Sequence, residues 1–74
     1  MARLIRLDGT GHTTLAEWTS GDEAAERAAR TAFRRELEAG MLASVTTPDG
    51  GAEVVRELPL DAELVVLRRP IAGG

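Results

Sequence analysis

The last seven residues of the chain, "RRPIAGG", follow its most apolar run, "AELVVL", and hold its best candidate for a chemically active group. That group is the carboxylate of Gly74, which is carried on two residues without side chains. A carboxylate on so slender a segment can enter the narrow channel of an enzyme, and glycine also adopts backbone angles that are closed to other residues. The competing interpretation is that nothing happens here, because chain ends fray and glycine is common in them. The rest of the sequence has to decide between the two.

Side chains elsewhere do not form a catalytic set. His12 is the only histidine, and it lies beside "DGTG" in a predicted hairpin without an evident partner for proton transfer. "GTG" joins two predicted strands rather than opening a helix, so it lacks the context of a phosphate-binding loop. The chain has no cysteine, which excludes a disulfide framework, a thiolate metal site and a cysteine nucleophile. We therefore expect a protein that is not an enzyme by itself and that binds no metal or cofactor.

Length and composition predict one small domain. With 74 residues, 43% of them apolar and 28% charged, the chain is ordinary for a soluble globular protein. No apolar stretch approaches the roughly 20 residues that span a bilayer, and the start lacks the apolar region of a signal peptide. A cytoplasmic protein without a membrane partner is the expectation.

The charges argue against nucleic acid as a partner. Nine basic and twelve acidic residues are interspersed and give a net charge of -3, and only Trp18 and Phe33 are aromatic. A nucleic-acid interface needs a basic face and usually stacking aromatics. All nine basic residues are arginine. The absence of lysine has two explanations, a GC-rich genome or a protein that avoids presenting ε-amines, and the sequence leaves both open.

The first forty residues predict two strands and a helix. "ARLIRLD" (2–8) and "HTTLAEW" (12–18) are rich in strand-forming residues, and a connection of hairpin length joins them. Leu4 and Ile5 are adjacent, so one of them must face a second environment.

The helix is predicted over residues 20–40. Ser20 and Glu23 have the spacing of a capping box, and Gly40 supplies a C-terminal stop. Its apolar residues recur at helical spacing and are Ala25, Ala28, Ala29, Ala32, Phe33 and Leu37. Four of these six are alanine, so we expect the helix to approach a sheet closely, with Phe33 and Leu37 as the bulky anchors.

Three more strands are predicted after the helix. They are "MLASVTT" (41–47), "AEVVREL" (52–58) and "AELVVLRR" (62–69), with a turn at "PDGG" (48–51) and a break at Pro59. The near-continuous apolar centre of the last strand predicts a central, well-covered position in the sheet. The order β-β-α-β-β-β predicts an α+β domain, 1–70, with one helix packed across a mixed sheet. Residues 71–74 are predicted to form a flexible C-terminal tail.

This order, with a final strand that runs into "RRPIAGG", resembles the β-grasp family of ubiquitin and the prokaryotic sulfur carriers. The likeness is greatest to the small subunit of molybdopterin synthase and to the thiamine-pathway sulfur carrier. "LASV", "AEVVRELPLD", "AELVVL" and "RRPIAGG" fall in the family's order, so the resemblance covers residues 41–74 well and 1–40 by element order. The carriers typically have two prolines before the tail, whereas Arg69 precedes Pro70 here, and ubiquitin itself has arginines near its tail. A sulfur carrier and a protein tag both remain open.

The resemblance implies that the chemistry belongs to a partner. An E1-like adenylating enzyme would use ATP to convert the Gly74 carboxylate to an acyl-adenylate, whose carbonyl a sulfur donor or a cysteine then attacks. Further partners implied are an E2-like or sulfur-donating protein and a deconjugating peptidase. Gly73 and Gly74 would pass through the enzyme's channel, and Pro70 would set the direction in which the tail leaves the last strand. The residues expected to form the tail and to dock on the partner are Arg68, Arg69, Pro70, Ile71 and Ala72, and an exposed part of the sheet near Arg68 and Arg69 is expected to take part in docking.

Two alternatives accompany this hypothesis. Arg68 and Arg69 can serve solubility alone. The whole domain can also be a non-covalent interaction or assembly subunit, because a fold by itself does not determine function.

Overall fold

The computed structural model describes residues 1–9 and 11–70 and has the predicted order of elements. Within that part of the chain the elements are β1 Ala2–Asp8, β2 Gly11–Trp18, α1 Glu23–Glu38, β3 Leu42–Thr46, β4 Ala52–Val55 and β5 Leu64–Arg68. The one helix packs on a five-stranded mixed sheet, which is a β-grasp-like α+β architecture. β4 is shorter than predicted, and β5 begins two residues later, because the chain between them bends through a turn closed by the Ala62 N–H and the Pro59 carbonyl.

The sheet has the strand order β2-β1-β5-β3-β4. β5 lies at its centre, parallel to β1 on one side and antiparallel to β3 on the other. The predicted central position of the last strand is therefore confirmed. β1–β2 and β3–β4 are antiparallel pairs, and β2 and β4 form the two edges of the sheet.

A β-bulge between β1 and β2 accompanies the adjacent apolar residues near the start of the chain. Leu4 pairs with Ala16, but Ile5 pairs with Thr14, so Leu15 is the extra residue on β2. Leu4 belongs to the core under the helix, whereas Ile5 is buried outside that cluster, on the opposite face of the sheet. The expectation that one of the two residues faces a second environment is confirmed.

The core lies between α1 and one face of the sheet. Its buried members among the described residues are Leu4, Trp18, Ala29, Phe33, Ala43, Val65 and Leu67. Ala29 of the predicted stripe and Ala43 of β3 are both fully buried in this core. Phe33 is buried and Leu37 is half-buried, but Ala28 is exposed and is not part of the packed stripe.

The predicted capping box at Ser20 and Glu23 is wrong, because α1 begins two residues later than that pattern requires. Asp22 is the N-cap, and its Oδ1 accepts from the Ala25 N–H at 3.2 Å. The Gly21 N–H donates to Glu26 at 3.1 Å, so a second backbone donor at this end is also satisfied.

The C-terminal end of α1 is as predicted. Gly40 has a φ of +95°, and its N–H donates to the Leu37 carbonyl. The Met41 N–H donates to the Glu36 carbonyl, which completes a Schellman motif. A residue with a Cβ would be strained at this φ, which explains why the helix ends at a glycine.

Candidate functional site

The described residues end just after β5, where the predicted tail begins. Arg68 ends β5, and Arg69 and Pro70 follow it; all three side chains are exposed. The remaining predicted tail residues, Ile71, Ala72, Gly73 and Gly74, lie outside the described residues. The site can therefore be built from the sheet that holds β5 and from the surfaces around Arg69 and Pro70.

The face of the sheet opposite the helix, here called the open face, carries apolar side chains among polar ones. Alternation along each strand sends Val65 and Leu67 to the core and their neighbours Leu64, Val66 and Arg68 to the other side. Strand pairing places further residues on the same face, namely the apolar Ile5, Leu7, Leu42, Ala52 and Val54 and the polar or charged Arg3, His12, Thr14, Glu17, Ser44 and Thr46.

Several apolar side chains of the open face are in contact with solvent. Leu7 is 43% exposed, Leu42 39%, Val54 56% and Leu64 37%. The prediction that β5 is well covered is therefore right for the core face only. None of the described residues forms a second layer here, so the apolar character of "LVVL" exceeds what burial under one helix requires. Exposed apolar residues gathered on one face are typical of an interaction surface.

A groove of about 920 Å³ lies where the chain leaves β5. Arg69 and Pro70 form one wall, and the other walls come from the end of β1, from the C-terminal turn of α1 and from Met41. An ion pair lies in this groove, since Arg6 Nη1 is 3.1 Å from Glu36 Oε1. This ion pair joins β1 to the end of α1 in the groove that Arg69 and Pro70 also line.

The side chains of the described residues do not assemble a metal or acid–base centre at this exit. No group of three or more potential metal ligands occurs among them. His12 is exposed on β2, where it pairs with Leu7 of β1. No helix in this part of the chain is long and apolar enough to cross a bilayer.

A perturbed pKa among the described residues lies away from the exit, in the turn between β3 and β4. The Thr47 hydroxyl donates to Asp49 Oδ1, and the Gly51 N–H donates to the same oxygen at 3.2 Å. These two hydrogen bonds stabilise the carboxylate and lower the pKa of Asp49 below its ordinary value of 3.8. The group is exposed and serves the turn, so it adds no chemistry to the candidate site.

The sequence predicted the exit and an exposed part of the sheet near Arg68 and Arg69, but not which residues form the open face. The exposed Arg68, Arg69 and Pro70 agree with the predicted docking segment, whereas the apolar residues of β1 and β3 beside them were not anticipated. Alternate positions of "LVVL" carried a signal, because a strand covered on one face needs apolar residues only at every second position.

Comparison of the chain with protein-family models, with curated proteins and with solved structures found no match.

Proposed function

We propose that the protein is a ubiquitin-like carrier or modifier whose Gly74 carboxylate is activated by an E1-like adenylating enzyme. The observation that carries the proposal is the position of β5, which pairs with β1 and β3 and leads directly into the exposed Arg68, Arg69 and Pro70. A strand hydrogen-bonded on both sides is a rigid base for the segment "IAGG" that follows it in the sequence. Pro70 restricts φ at the point of departure.

The proposed reaction needs only the carboxylate from this chain. An oxygen of the Gly74 carboxylate attacks the α-phosphorus of ATP, and pyrophosphate leaves. A sulfur nucleophile from a sulfur donor or a cysteine then attacks the carbonyl carbon, a C–S bond forms, and AMP leaves. Glycine at positions 73 and 74 lets the reacting carbon enter a channel too narrow for side chains. The partner supplies ATP and the catalytic groups, so this chain is not itself the enzyme.

The open face is the surface that we assign to docking on the activating enzyme. It lies beside the exit of the chain and offers apolar contact area, with Arg68 at the end nearest the tail. A docked body holds the carboxylate in one place, and misplacement of a reacting group by about 1 Å can cost roughly 100-fold in rate.

The decisive experiment is ATP–pyrophosphate exchange with the E1-like enzymes of the same genome. Three chains are compared: the 74-residue chain, a chain without Gly73 and Gly74, and a chain with one alanine added after Gly74. The 74-residue chain should support exchange, and the other two should not. The thermal midpoint of the truncated chain should change by no more than about a degree or two, because the buried core among the described residues ends at Leu67.

Two results would contradict the proposal. Equal exchange with all three chains would show that the Gly74 carboxylate is not the reacting group. If no E1-like enzyme of the genome catalyses ATP–pyrophosphate exchange in the presence of the 74-residue chain, activation of Gly74 is refuted.

The assignment of docking to this face is tested by removing the charge of Arg68 at the end of β5. Arg68→Ala should raise the KM for the carrier about two- to fivefold with kcat unchanged, since exposed charge pairs are worth about 0.2–1 kcal/mol. Arg3→Ala is the matched control, because Arg3 lies on the same face at the other end of β5, beside Leu64. Equal KM values for the two variants would leave Arg68 with solubility as its only role.

A second candidate function is a non-covalent interaction or assembly subunit. The exposed apolar side chains of the open face favour it, because they suit a stable partner as well as a transient one. This candidate predicts that the chain without Gly73 and Gly74 binds its partner with unchanged affinity.

A further inference from the structure

More than half of the arginines lie together on the side of the molecule formed by the outer face of α1. We call this the arginine surface, and it consists of Arg27, Arg30, Arg34, Arg35 and Arg56. Spacings of three and four residues bring Arg27, Arg30 and Arg34 onto one stripe of the helix. The helix has no carboxylate from residue 27 to residue 35, and Glu38 is the one carboxylate that lies beside these helix arginines in the surface depression that they line.

The guanidinium groups of the arginine surface are unpaired. Within residues 1–9 and 11–70, none of the five donates a hydrogen bond or lies in an ion pair, whereas Arg6 pairs with Glu36 at 3.1 Å. Like charges at i,i+4, such as Arg30 and Arg34, destabilise a helix. Arg35 lies in the last turn of α1, where a cation is favourable for the helix dipole. Within the described residues the donors of all five side chains are free to bind an anionic partner.

A groove of about 350 Å³ runs along one side of the arginine surface, between α1 and the segment after β4. Its rim carries Arg30 and Arg34 from the helix, and Arg56 with one carboxylate, Glu57, from that segment. Its accessible apolar lining consists of Leu37 and Leu58, which are half-buried, because Phe33 below them is only 3% exposed. The groove thus combines three cations with apolar side chains below them.

We propose that the arginine surface binds an extended acidic segment of a partner protein, with one apolar side chain of that segment in the groove. Charge complementarity argues for carboxylates, because the planar guanidinium matches a carboxylate with two parallel hydrogen bonds. The apolar lining argues for a peptide with an aliphatic or aromatic residue among its acidic ones.

Nucleic acid fits this surface less well. Both aromatic residues are in the core, with Trp18 1% and Phe33 3% exposed, so no aromatic ring is presented for a base to stack on. The proposed surface lies on the helix side of the molecule, away from the open face, and does not depend on activation of Gly74.

The test measures fluorescence anisotropy of a labelled peptide that has glutamates around one central leucine. Arg30→Gln/Arg34→Gln should weaken its binding about tenfold, the size expected for two exposed charge pairs. Arg3→Gln/Arg68→Gln removes the same charge from the open face and should leave the affinity within about twofold. Replacing the central leucine with glutamate should weaken binding to the wild-type chain, because the apolar lining of the groove loses its occupant.

Three outcomes would overturn the proposal. Equal weakening by the two double variants would show a response to net charge rather than to a site. An all-glutamate peptide that binds as well as the leucine peptide would leave the groove without a role. Tighter binding of a single-stranded oligonucleotide of equal charge, lost in Arg30→Gln/Arg34→Gln, would assign the surface to nucleic acid.

Discussion

At the scale of single residues, the two aromatic side chains both fill the core, one from α1 and the other from β2. Phe33 anchors the helix in the core, and Trp18 closes the other end of it from the last position of β2. The Trp18 indole N–H donates to the Leu60 carbonyl at 3.1 Å, so its one polar group is satisfied where the ring is buried. That hydrogen bond also links the segment between β4 and β5 to the end of β2.

Phe33→Ala should lower the free energy of unfolding by about 3–5 kcal/mol, because it removes a buried ring and leaves a cavity. Urea denaturation followed by Trp18 fluorescence measures this. Val54→Thr is the control, since Val54 is 56% exposed and its replacement should change stability by less than about 0.5 kcal/mol. A loss below about 1 kcal/mol for Phe33→Ala would mean that the helix packs through another face.

Asp49 should titrate below its ordinary pKa of 3.8, first because of the Thr47 hydroxyl and then because of the Gly51 N–H. A lowered pKa in the folded state means that the carboxylate form stabilises the fold above pH 3.8 and that this contribution is lost as the pH falls through the folded pKa. Thr47→Val should raise the pKa of Asp49 toward 3.8, as measured by NMR titration of its carboxyl carbon. Thr46→Val is the control, and an unchanged midpoint in Thr47→Val would contradict the assignment.

At the scale of elements, the helix is defined by its ends as much as by its apolar stripe. At the first turn the Asp22 side chain accepts a hydrogen bond from the Ala25 N–H, and at the other end Gly40 terminates the helix with a positive φ. Between these ends the side toward the sheet is rich in alanine and the side toward solvent is rich in arginine. The helix therefore contributes a close-packed layer to the core and a charged surface to the outside.

Asp22→Ala should destabilise the protein by about 0.5–2 kcal/mol, because it removes the side-chain acceptor of the N-cap. Ser20→Ala should change stability by less than about 0.5 kcal/mol, since Ser20 lies outside the helix and is exposed. Chemical denaturation of both variants decides between the two capping residues. A larger loss for Ser20→Ala would restore the capping box that the sequence suggested.

At the scale of the whole molecule, the described surfaces divide by function. The open face and the exit of β5 serve the proposed activation, and the arginine surface on α1 serves the proposed acidic partner. The helix, the core and the sheet separate the two surfaces, so a partner on one surface leaves the other accessible.

The absence of lysine makes a prediction about self-conjugation. If the protein is a tag, chains of this protein linked through a lysine side chain within these 74 residues cannot form, since the sequence has no lysine. Incubation with the activating enzymes, ATP and no other acceptor should give no ladder on a denaturing gel, and mass spectrometry should find no Met1–Gly74 linkage. Abundant chains through Met1 would refute the idea that the absence of lysine prevents polymerisation.

The sequence by itself determined the order of the elements and the place of β5. Hydrophobic periodicity is a local property, so the alanine stripe and Gly40 indicated a helix and its end. The run "LVVL" indicated a strand flanked on both sides, and the pairing of β5 with β1 and β3 confirms it. Of the candidate site, sequence reasoning anticipated Arg68, Arg69 and Pro70 as an exposed segment.

Only the tertiary structure decided which residues from distant parts of the chain share a surface. Leu7, Leu42 and Leu64 join one open face through strand pairings that span most of the chain. Arg56 joins the helix arginines because the segment after β4 returns to α1. The choice of Asp22 over Ser20 as the N-cap also depended on the turn that brings the chain from β2 into the helix. Periodicity reports which side of its own element a residue occupies, whereas the neighbours on that side are set by long-range pairing and packing.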